Sequence, residues 1–422
     1  TWLVARGNKQ EADAMIERKE YLQRLYDWKD EQVIKVVTGI RRCGKSTLLK
    51  QYQEKLMQSG ILPEQIISIN FEDLEYEELL DYKALYRYIK ERLCEGKMTY
   101  IFLDEIQKVD SFEKAVDSIY IKDMTDIYIT GSNAYMLSGD LATLLTGRYV
   151  EISMLPFSFR DYYALTAPEL SPDAAFADYM RYGGFPYLST MKKTPEKAAV
   201  YLEGIYNTVI IKDIEDRQNR RENDPSKRKI TDIALLKTIA RYMASVVGSP
   251  VSVKSVTDYL TSNGRKISPN TVSDYMEALK ESFIFYKADR IDIVGKQFLK
   301  SNSKWYVVDL GLRSHMLPRQ KYDLGFSIEN IVYFELLRRG CQVNIGKSGN
   351  TEVDFVAHSQ DACCYFQVTA DMTSEETFSR EMRPLESIRD NYEKTVLTLD
   401  RFTAGNYNGI KVINVIDWLL NP

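Results

Sequence analysis

The sequence predicts an α/β protein of several domains, and three observations support this prediction. Apolar runs of strand length alternate with helical periods over the first third of the chain, which is typical of a parallel sheet whose strands are joined by helices. With 44% hydrophobic and 27% charged residues, the composition is that of a globular protein. A length of 422 residues is enough for roughly two to four domains of about 100 to 200 residues each.

The composition also excludes several classes of function. Since no segment approaches the ~18 uninterrupted apolar residues of a membrane span, and the given sequence does not open with a secretory signal, we expect a cytoplasmic protein without a membrane partner. The five cysteines show no C-x-x-C spacing, which argues against a disulfide framework and a structural zinc site. The two histidines, His315 and His358, lie in no obvious motif, so a His-rich metal centre is excluded.

Patterns along the chain predict its elements in order. Five apolar runs predict the strands of the first domain, at residues 33–38, 66–71, 100–105, 126–131 and 149–153. The helical pattern that follows is broken at 182–186 by YGGFP, whose glycines and proline must end one helix before another begins. Residues 217–229 have no apolar side chain, so this segment cannot bury enough surface to order itself. Three helical stretches and a hairpin after it outline a winged helix-turn-helix.

These patterns divide the chain into segments of different charge. Between Ser226 and Lys300 there are 13 Lys/Arg against 7 Asp/Glu, whereas the whole chain carries a net charge of -4. Basic surfaces attract nucleic acid, so residues 231–300 are a candidate contact for double-stranded DNA. The predicted segments are an N-terminal helical segment (1–30), an α/β core (31–165), a helical lid (166–216), a charged linker (217–230), a winged helix-turn-helix (231–318) and a second α/β domain (319–422).

The strongest functional signal is GIRRCGKS at residues 39–46, which satisfies G-x-x-x-x-G-K-[ST]. A predicted strand precedes it and an amphipathic helix follows, so the loop's backbone N–H groups and the helix N-terminus point at one place that suits a polyphosphate. Lys45 would reach the β and γ phosphates, and the Ser46 hydroxyl would ligate Mg²⁺. The cations around Cys43 predict a lowered thiol pKa and a site that alkylation blocks. We predict nucleotide contacts at Gly39, Arg42, Cys43, Gly44, Lys45, Ser46 and Thr47.

Polar residues follow two of the other predicted strands. Asp104 would hold the Mg²⁺ shell through water, and Glu105 would orient or deprotonate the attacking water because the nearby cations favour its ionised form. The alternative is a carboxylate pair that only ends a strand. Ser132 and Asn133 are predicted to sense the γ phosphate, although Ser and Asn are also typical of turns and helix caps. Arg148 is either an arginine finger across the interface of a homo-oligomer or part of a surface ion pair.

The motifs VVTGIRRCGKSTLL, INFED, YIFLDEIQ, ITGSNAYML, LTGRYVEISMLPFSFRDYY and YGGFP, in this order, resemble those of a family of prokaryotic AAA-type P-loop ATPases. The resemblance runs over nearly the whole chain from about Arg18. It implies ATP and Mg²⁺ as ligands, bound at Gly44, Lys45, Ser46, Asp104 and Glu105. It also implies that the ATPase is followed by a helical lid, a winged helix and a C-terminal domain similar to PD-(D/E)xK nucleases. The motifs alone do not separate ATP from GTP.

The C-terminal domain departs from the nuclease pattern in one place. Glu329 and Glu335 lie on its first predicted helix, and Asp354 fills the strand position with Glu352 on the same strand face. The expected E-x-K is replaced by Gln367-Val368-Thr369, which removes one carboxylate and the catalytic lysine. We therefore expect a degenerate nuclease fold without activity.

The third helix of the predicted winged helix presents polar and basic residues near its start, where a reader of the major groove would carry them. They are Arg265, Lys266, Ser268, Asn270, Thr271 and Ser273. Acidic residues on the same helix, Asp274, Glu277 and Glu281, oppose contact with phosphate. A winged helix also serves as a protein-interaction module, so DNA and protein partners both remain open.

Three hypotheses about function follow. In the first, hydrolysis of Mg-ATP switches the arrangement of the attached winged-helix and nuclease-like domains, on DNA or on a protein. In the second, ATP gates a DNA nuclease that uses Glu329 and Asp354. In the third, nucleotide only stabilises a DNA- or protein-bound state and turnover is incidental.

Overall fold

The computed structural model describes residues 16–132, 145, 147–167, 169–191, 194–209, 232–317, 324–360 and 362–421. The chain divides into two compact units, Thr1–Pro156 (unit 1) and Phe157–Pro422 (unit 2). The predicted linker at 217–230, the first 15 residues of the predicted N-terminal segment and Asn133 lie outside the described residues.

Unit 1 contains a parallel sheet of five strands in the order β2-β3-β4-β1-β5. The predicted parallel sheet is therefore confirmed, and each of its strands lies within one residue of the predicted position. The described helices and strands of unit 1 are α1 (Lys19–Asp27), β1 (Ile34–Thr38), α2 (Lys45–Gln58), β2 (Ile66–Asn70), α3 (Tyr82–Lys90), β3 (Thr99–Asp104), α4 (Phe112–Tyr120), β4 (Thr125–Gly131) and β5 (Tyr149–Ser153).

An aromatic cluster fixes α2 against one face of this sheet. Tyr52 of α2 lies 5.2 Å from Tyr128 of β4 and 6.2 Å from Phe102 of β3, measured between ring centroids. All three rings are fully buried, and aromatic pairs at such separations add to the free energy gained by burying their area. The start of α2 is thereby held at the edge of the sheet where the parallel strands end.

Unit 2 begins with helices and continues into a large mixed sheet. The predicted helices over 231–282 and the hairpin after them are confirmed. Its described elements are α5 (Phe159–Thr166), α6 (Pro172–Tyr182), α7 (Pro186–Thr190), α8 (Pro195–Asn207), α9 (Ile233–Ser245), β6 (Pro250–Val251), α10 (Val253–Ser262), α11 (Pro269–Glu281), β7 (Phe285–Asp292), β8 (Gln297–Val307), α12 (Leu310–Met316), α13 (Leu324–Arg338), β9 (Gln342–Ser348), β10 (Thr351–His358), β11 (Cys363–Thr369), α14 (Glu375–Glu386), β12 (Glu393–Thr398), β13 (Gly405–Tyr407), β14 (Ile410–Asn414) and α15 (Val415–Leu420).

One nine-stranded sheet runs through unit 2 in the order β13-β14-β12-β11-β10-β9-β7-β8-β6. The hairpin of β7 and β8 belongs to this sheet because β7 pairs in parallel with β9. The predicted boundary at 318/319 thus separates two segments whose strands share hydrogen bonds. Side chains of β8 and of β10 are brought into one sheet, although they are about 50 positions apart in the sequence.

The YGGFP sequence forms the end of α6 and a buried backbone contact. Gly183 adopts φ 78° and ψ -171°, and the Gly184 N–H donates to an oxygen of Asp309 at 2.6 Å. Burial raises the pKa of Asp309 to about 6, although backbone N–H groups at the start of α12 also donate to it. A Cβ on Gly183 would lie 2.0 Å from the nearer Asp309 oxygen, so the first glycine of the motif is required by this contact.

We predict that Gly183→Ala lowers the free energy of unfolding of unit 2 by about 2 to 4 kcal/mol, because this φ/ψ region is nearly restricted to glycine and the new methyl group would displace Asp309. Gly204→Ala in α8 is the control, since its added Cβ meets no atom within 4 Å. A helical Gly→Ala change should stabilise by about 0.5 to 1 kcal/mol. Urea denaturation followed by tryptophan fluorescence measures both, and equal midpoints for the two variants would contradict the account.

Candidate functional site

The loop between β1 and α2 has positive φ angles at its two glycines, a backbone conformation that other residues rarely adopt. Gly39 adopts φ 145°, and a Cβ there would lie 2.1 Å from the Met154 carbonyl oxygen. Gly44 adopts φ 106° and ψ 18° directly before α2, so both glycines of G-x-x-x-x-G have conformations that favour glycine. The first turn of a helix has N–H groups without carbonyl partners inside the helix, and here that turn starts at Lys45. This geometry provides donors for an anion.

The Lys45 ammonium is buried inside the loop. Its side chain is 4% exposed, and Nζ donates to the carbonyl oxygens of Gly39 at 3.0 Å and Ile40 at 3.4 Å. Nζ also lies 3.8 Å from Oε1 of Glu105. The lysine predicted to contact phosphate and the glutamate predicted to act as a base therefore form an ion pair with each other.

Asp104 and Ser46 are also brought together. Asp104 ends β3, and its carboxylate is hydrogen-bonded by the hydroxyls of Ser46 and Thr130, the latter at 2.5 Å. Burial raises the pKa of Asp104, and these two hydrogen bonds oppose that effect. A hydroxyl and a carboxylate in contact at the start of a helix supply the hard oxygen atoms that Mg²⁺ prefers.

Glu105 has a constrained backbone and an anchored side chain. Its φ is 56° and ψ 44°, which is uncommon for a residue with a Cβ, and its N–H donates to Thr130 Oγ1 at 2.9 Å. The carboxylate oxygen Oε2 accepts hydrogen bonds from Gln107 Nε2 and from Ser132 Oγ, the latter at 3.1 Å. Burial raises the pKa of Glu105, but the Lys45 charge and these hydrogen bonds outweigh it, so the pKa lies below its usual value. This direction agrees with the predicted preference for the ionised form, and the role of Glu105 as a base stays a prediction.

Sequence reasoning missed two residues of this site. Thr130 joins Asp104 to the Glu105 backbone, and Gln107 holds the Glu105 side chain. Thr130 lies in the strand β4 between β1 and β3, so its place could have been inferred only from the strand order. Gln107 was visible in the sequence as the residue two positions after Glu105, but no rule of spacing assigns it a role.

The other predicted contacts occupy different positions. Thr47 is half-buried in the first turn of α2, whereas Arg42 is exposed and adopts φ 70°. Arg148 is half-exposed, lies 4.0 Å from Asp117 and stacks over the Tyr120 ring at 5.3 Å. The surface ion pair that was one alternative for Arg148 is thus present, and an arginine finger stays a prediction.

The prediction of a reactive Cys43 is wrong. The thiol is fully buried, and burial raises its pKa, although Lys45 and Arg18 act in the opposite direction. Local positive charge in the sequence suggested a thiolate, but removal from water disfavours the charged form more strongly here.

We therefore predict that iodoacetamide modifies Cys43 at least about 10-fold more slowly than the partly exposed Cys94 in the folded chain, because only an accessible thiolate reacts quickly. Peptide mapping by mass spectrometry at pH 8 measures both rates. The difference should vanish in urea. Faster modification of Cys43 in the folded chain would restore the original expectation.

A second cluster of charged side chains lies in unit 2. The Lys304 ammonium of β8 lies 2.9 Å from Glu329 of α13, 3.0 Å from Glu352 and 3.4 Å from Asp354, both of β10. Lys304 is 4% exposed, and its three partners raise its pKa against the effect of burial. Tyr306 also donates to Glu329 at 2.7 Å. The catalytic lysine of the nuclease pattern is absent from its expected place, but Lys304, from a strand outside the compared motif, places a cation among these carboxylates.

The remaining residues of the nuclease pattern are only partly brought together. Gln367 donates to Glu381 at 3.1 Å, whereas Glu335 pairs with Arg339 at 3.0 Å on α13. Burial raises the pKa values of Glu329 and Asp354, which disfavours their ionised forms. Within the described part of the chain, no group of three or more His, Cys, Asp or Glu residues is arranged to hold a metal ion.

We predict that Lys304→Met lowers the free energy of unfolding by about 3 to 5 kcal/mol, since it leaves buried carboxylates without their cation. Lys411→Met is the matched control, because the Lys411 pair with Glu393 is half-exposed and such pairs contribute little. Urea denaturation of both variants measures the contrast. A stability equal to that of the unchanged chain in Lys304→Met would show that the cluster does not depend on the lysine.

The residues predicted to contact DNA lie at the exposed start of α11. Ser268 caps the helix and accepts from the Thr271 N–H at 3.2 Å. Lys266 is exposed, but Arg265 forms an ion pair with Asp232, which neutralises part of the positive charge. The geometry leaves both a DNA and a protein partner open.

Comparisons with known proteins agree with the geometry of unit 1. Residues 31–163 match the model of the AAA domain, and residues 173–323 match that of a domain of unknown function. Neither match reaches the last 99 residues, so the similarity of that part to a nuclease stays a prediction. No described helix combines the length and the apolar character that crossing a bilayer requires.

Relatives of similar length are found in bacteria and archaea. An uncharacterised protein of Haemophilus influenzae is 39% identical over 411 residues, which are 96% of this chain and 99% of that protein. An uncharacterised protein of Methanocaldococcus jannaschii is 28% identical over 347 residues, 78% of this chain and 73% of that protein. Among solved structures, a Walker-type ATPase of Pyrococcus abyssi is 17% identical with a TM-score of 0.47, covering 74% of this chain and 99% of that one.

Proposed function

Since this chain belongs to the family of the Haemophilus influenzae protein and carries an AAA domain, we propose that it hydrolyses Mg-ATP and couples this reaction to its winged-helix and nuclease-like segments. The observation that supports hydrolysis most directly is the contact between Lys45 and Glu105. This contact places a cation that can bind phosphate and a carboxylate that can act as a base at the same edge of the sheet.

The residues of this site fit a nucleotide and Mg²⁺. A Cβ at Gly39 would collide with the Met154 carbonyl oxygen, so the loop is closely packed around the Lys45 ammonium. The first turn of α2 and the Lys45 ammonium would bind the phosphates, while Ser46 and Asp104 would hold the metal. When bound, Mg²⁺ neutralises negative charge on the phosphate oxygens.

The chain's own residues then account for the reaction. Lys45 leaves Glu105 for the more highly charged phosphate, which frees Oε1 of Glu105 to accept a proton from water. The water oxygen forms a bond to the γ phosphorus as the bond to the bridging oxygen of ADP breaks. One water proton passes to Glu105 and the other stays on the released phosphate. The Lys45 charge and the hydrogen bonds from Gln107 and Ser132 lower the pKa of Glu105 before this exchange, so the carboxylate enters it in the ionised form.

We propose that the output is a change in unit 2 that alters binding to DNA or to a protein. The exposed start of α11 with Lys266 supports a DNA contact. The side chain of Gln367 favours this reading over an ATP-gated nuclease, since an amide bonded to Glu381 replaces the carboxylate of the third motif that would help to hold a metal.

We predict that Lys45→Ala and Glu105→Gln each lower Mg²⁺-dependent ATP turnover by at least about 100-fold, the first through lost phosphate contacts and the second through the lost base. Phosphate release is measured for each chain with and without duplex DNA. Lys50→Ala is the control, because Lys50 lies on the same helix with an exposed side chain. Unchanged turnover in both site variants would contradict the proposed ATPase, whereas Glu105-dependent turnover indifferent to DNA would direct the search to protein partners.

A further inference from the structure

The amide of Gln107 is held in one orientation beside Glu105. An ionised carboxylate can only accept hydrogen bonds, so the amide nitrogen of Gln107 must face Glu105 Oε2. The same nitrogen lies 3.5 Å from Ser132 Oγ, which also donates to Glu105 Oε2. The orientation of the amide is thus set by chemistry, and its oxygen Oε1 makes no hydrogen bond to the carboxylate.

That oxygen is buried and lacks a partner. Gln107 Oε1 has no hydrogen-bond partner among the described residues. Buried polar atoms are nearly always hydrogen-bonded, to protein or to an ordered water, because an acceptor removed from water without a new partner destabilises the folded state. Within the described part of the chain, Gln107 therefore offers a free acceptor beside the carboxylate that is proposed to remove a proton from water.

We propose that Gln107 is a positioning residue for ATP hydrolysis, which anchors Glu105 through its amide nitrogen and orients the attacking water through its amide oxygen. This inference rests on the proposed ATPase function. The water would donate one O–H to Oε1 of Glu105 and the other to Oε1 of Gln107, so that its lone pair is directed at phosphorus. Ser132 would keep Glu105 Oε2 in place through the hydrogen bond that it donates.

One consequence separates this role from simple packing. Loss of the amide should lower kcat for ATP and leave KM nearly unchanged, because Gln107 contacts Glu105, would contact the attacking water, and makes no predicted contact with the nucleotide. A change that only disturbs packing around the loop should alter KM as well.

The experiment compares kcat and KM for ATP of the full chain in the wild type and four variants at neutral pH. Gln107→Met keeps the length of the side chain and removes the amide, and we expect kcat to fall about 10- to 100-fold with KM within twofold. Gln107→Glu keeps the shape and the acceptor oxygen but loses the donor to Glu105 and places a like charge beside it, so its kcat should fall as well. Lys108→Met in the same turn is the control, and Glu105→Gln sets the baseline.

The outcomes distinguish the two proposals. A fall in kcat with KM within twofold in the Gln107 variants, together with unchanged turnover in Lys108→Met, supports the inference, and either Gln107 variant alone is sufficient if the other does not fold. Glu105-dependent turnover with unchanged kcat in the Gln107 variants would overturn the role of Gln107 and leave the ATPase intact. No turnover by the wild type would overturn the ATPase itself.

Discussion

A buried ammonium at the positive end of a helix requires an anion, and this requirement organises the nucleotide site. Lys45 lies in the first turn of α2, where the helix dipole adds to its own positive charge. In this structure the loop carbonyls and the Glu105 carboxylate provide the compensating negative charge. A polyphosphate would provide it more strongly, so binding of nucleotide and release of Glu105 are two aspects of one exchange.

The order of the strands makes this exchange possible. The strand β4 lies between β1 and β3, and all three are parallel. These strands therefore end at the same edge of the sheet, at Thr38, Gly131 and Asp104. Thr130 of β4 then contacts both Asp104 and the backbone of Glu105. The left-handed backbone of Glu105 turns its side chain toward Lys45, and the hydrogen bonds around it hold that conformation.

The two charged clusters differ in how much of them the sequence could predict. The parallel sheet and the Lys45, Asp104 and Glu105 positions follow from local patterns, since loop, strand and helix are consecutive in the chain. Lys304 meets Asp354 only because β7 joins the sheet next to β9, a long-range pairing that no local pattern encodes. The pKa of Cys43 was also beyond the sequence, because its direction depends on burial rather than on the neighbouring cations. Contacts set by topology and by exclusion of water therefore needed the structure.

The exchange at Lys45 is tested most directly by calorimetric titration of Mg-ATP into four chains: the wild type, Lys45→Ala, Glu105→Gln and the double variant. If Glu105 competes with phosphate for Lys45, Glu105→Gln should bind ATP severalfold more tightly than the wild type. In the Lys45→Ala background, where binding is much weaker, the same change should have no such effect. An equal gain in both backgrounds, or weaker binding by Glu105→Gln alone, would contradict the exchange.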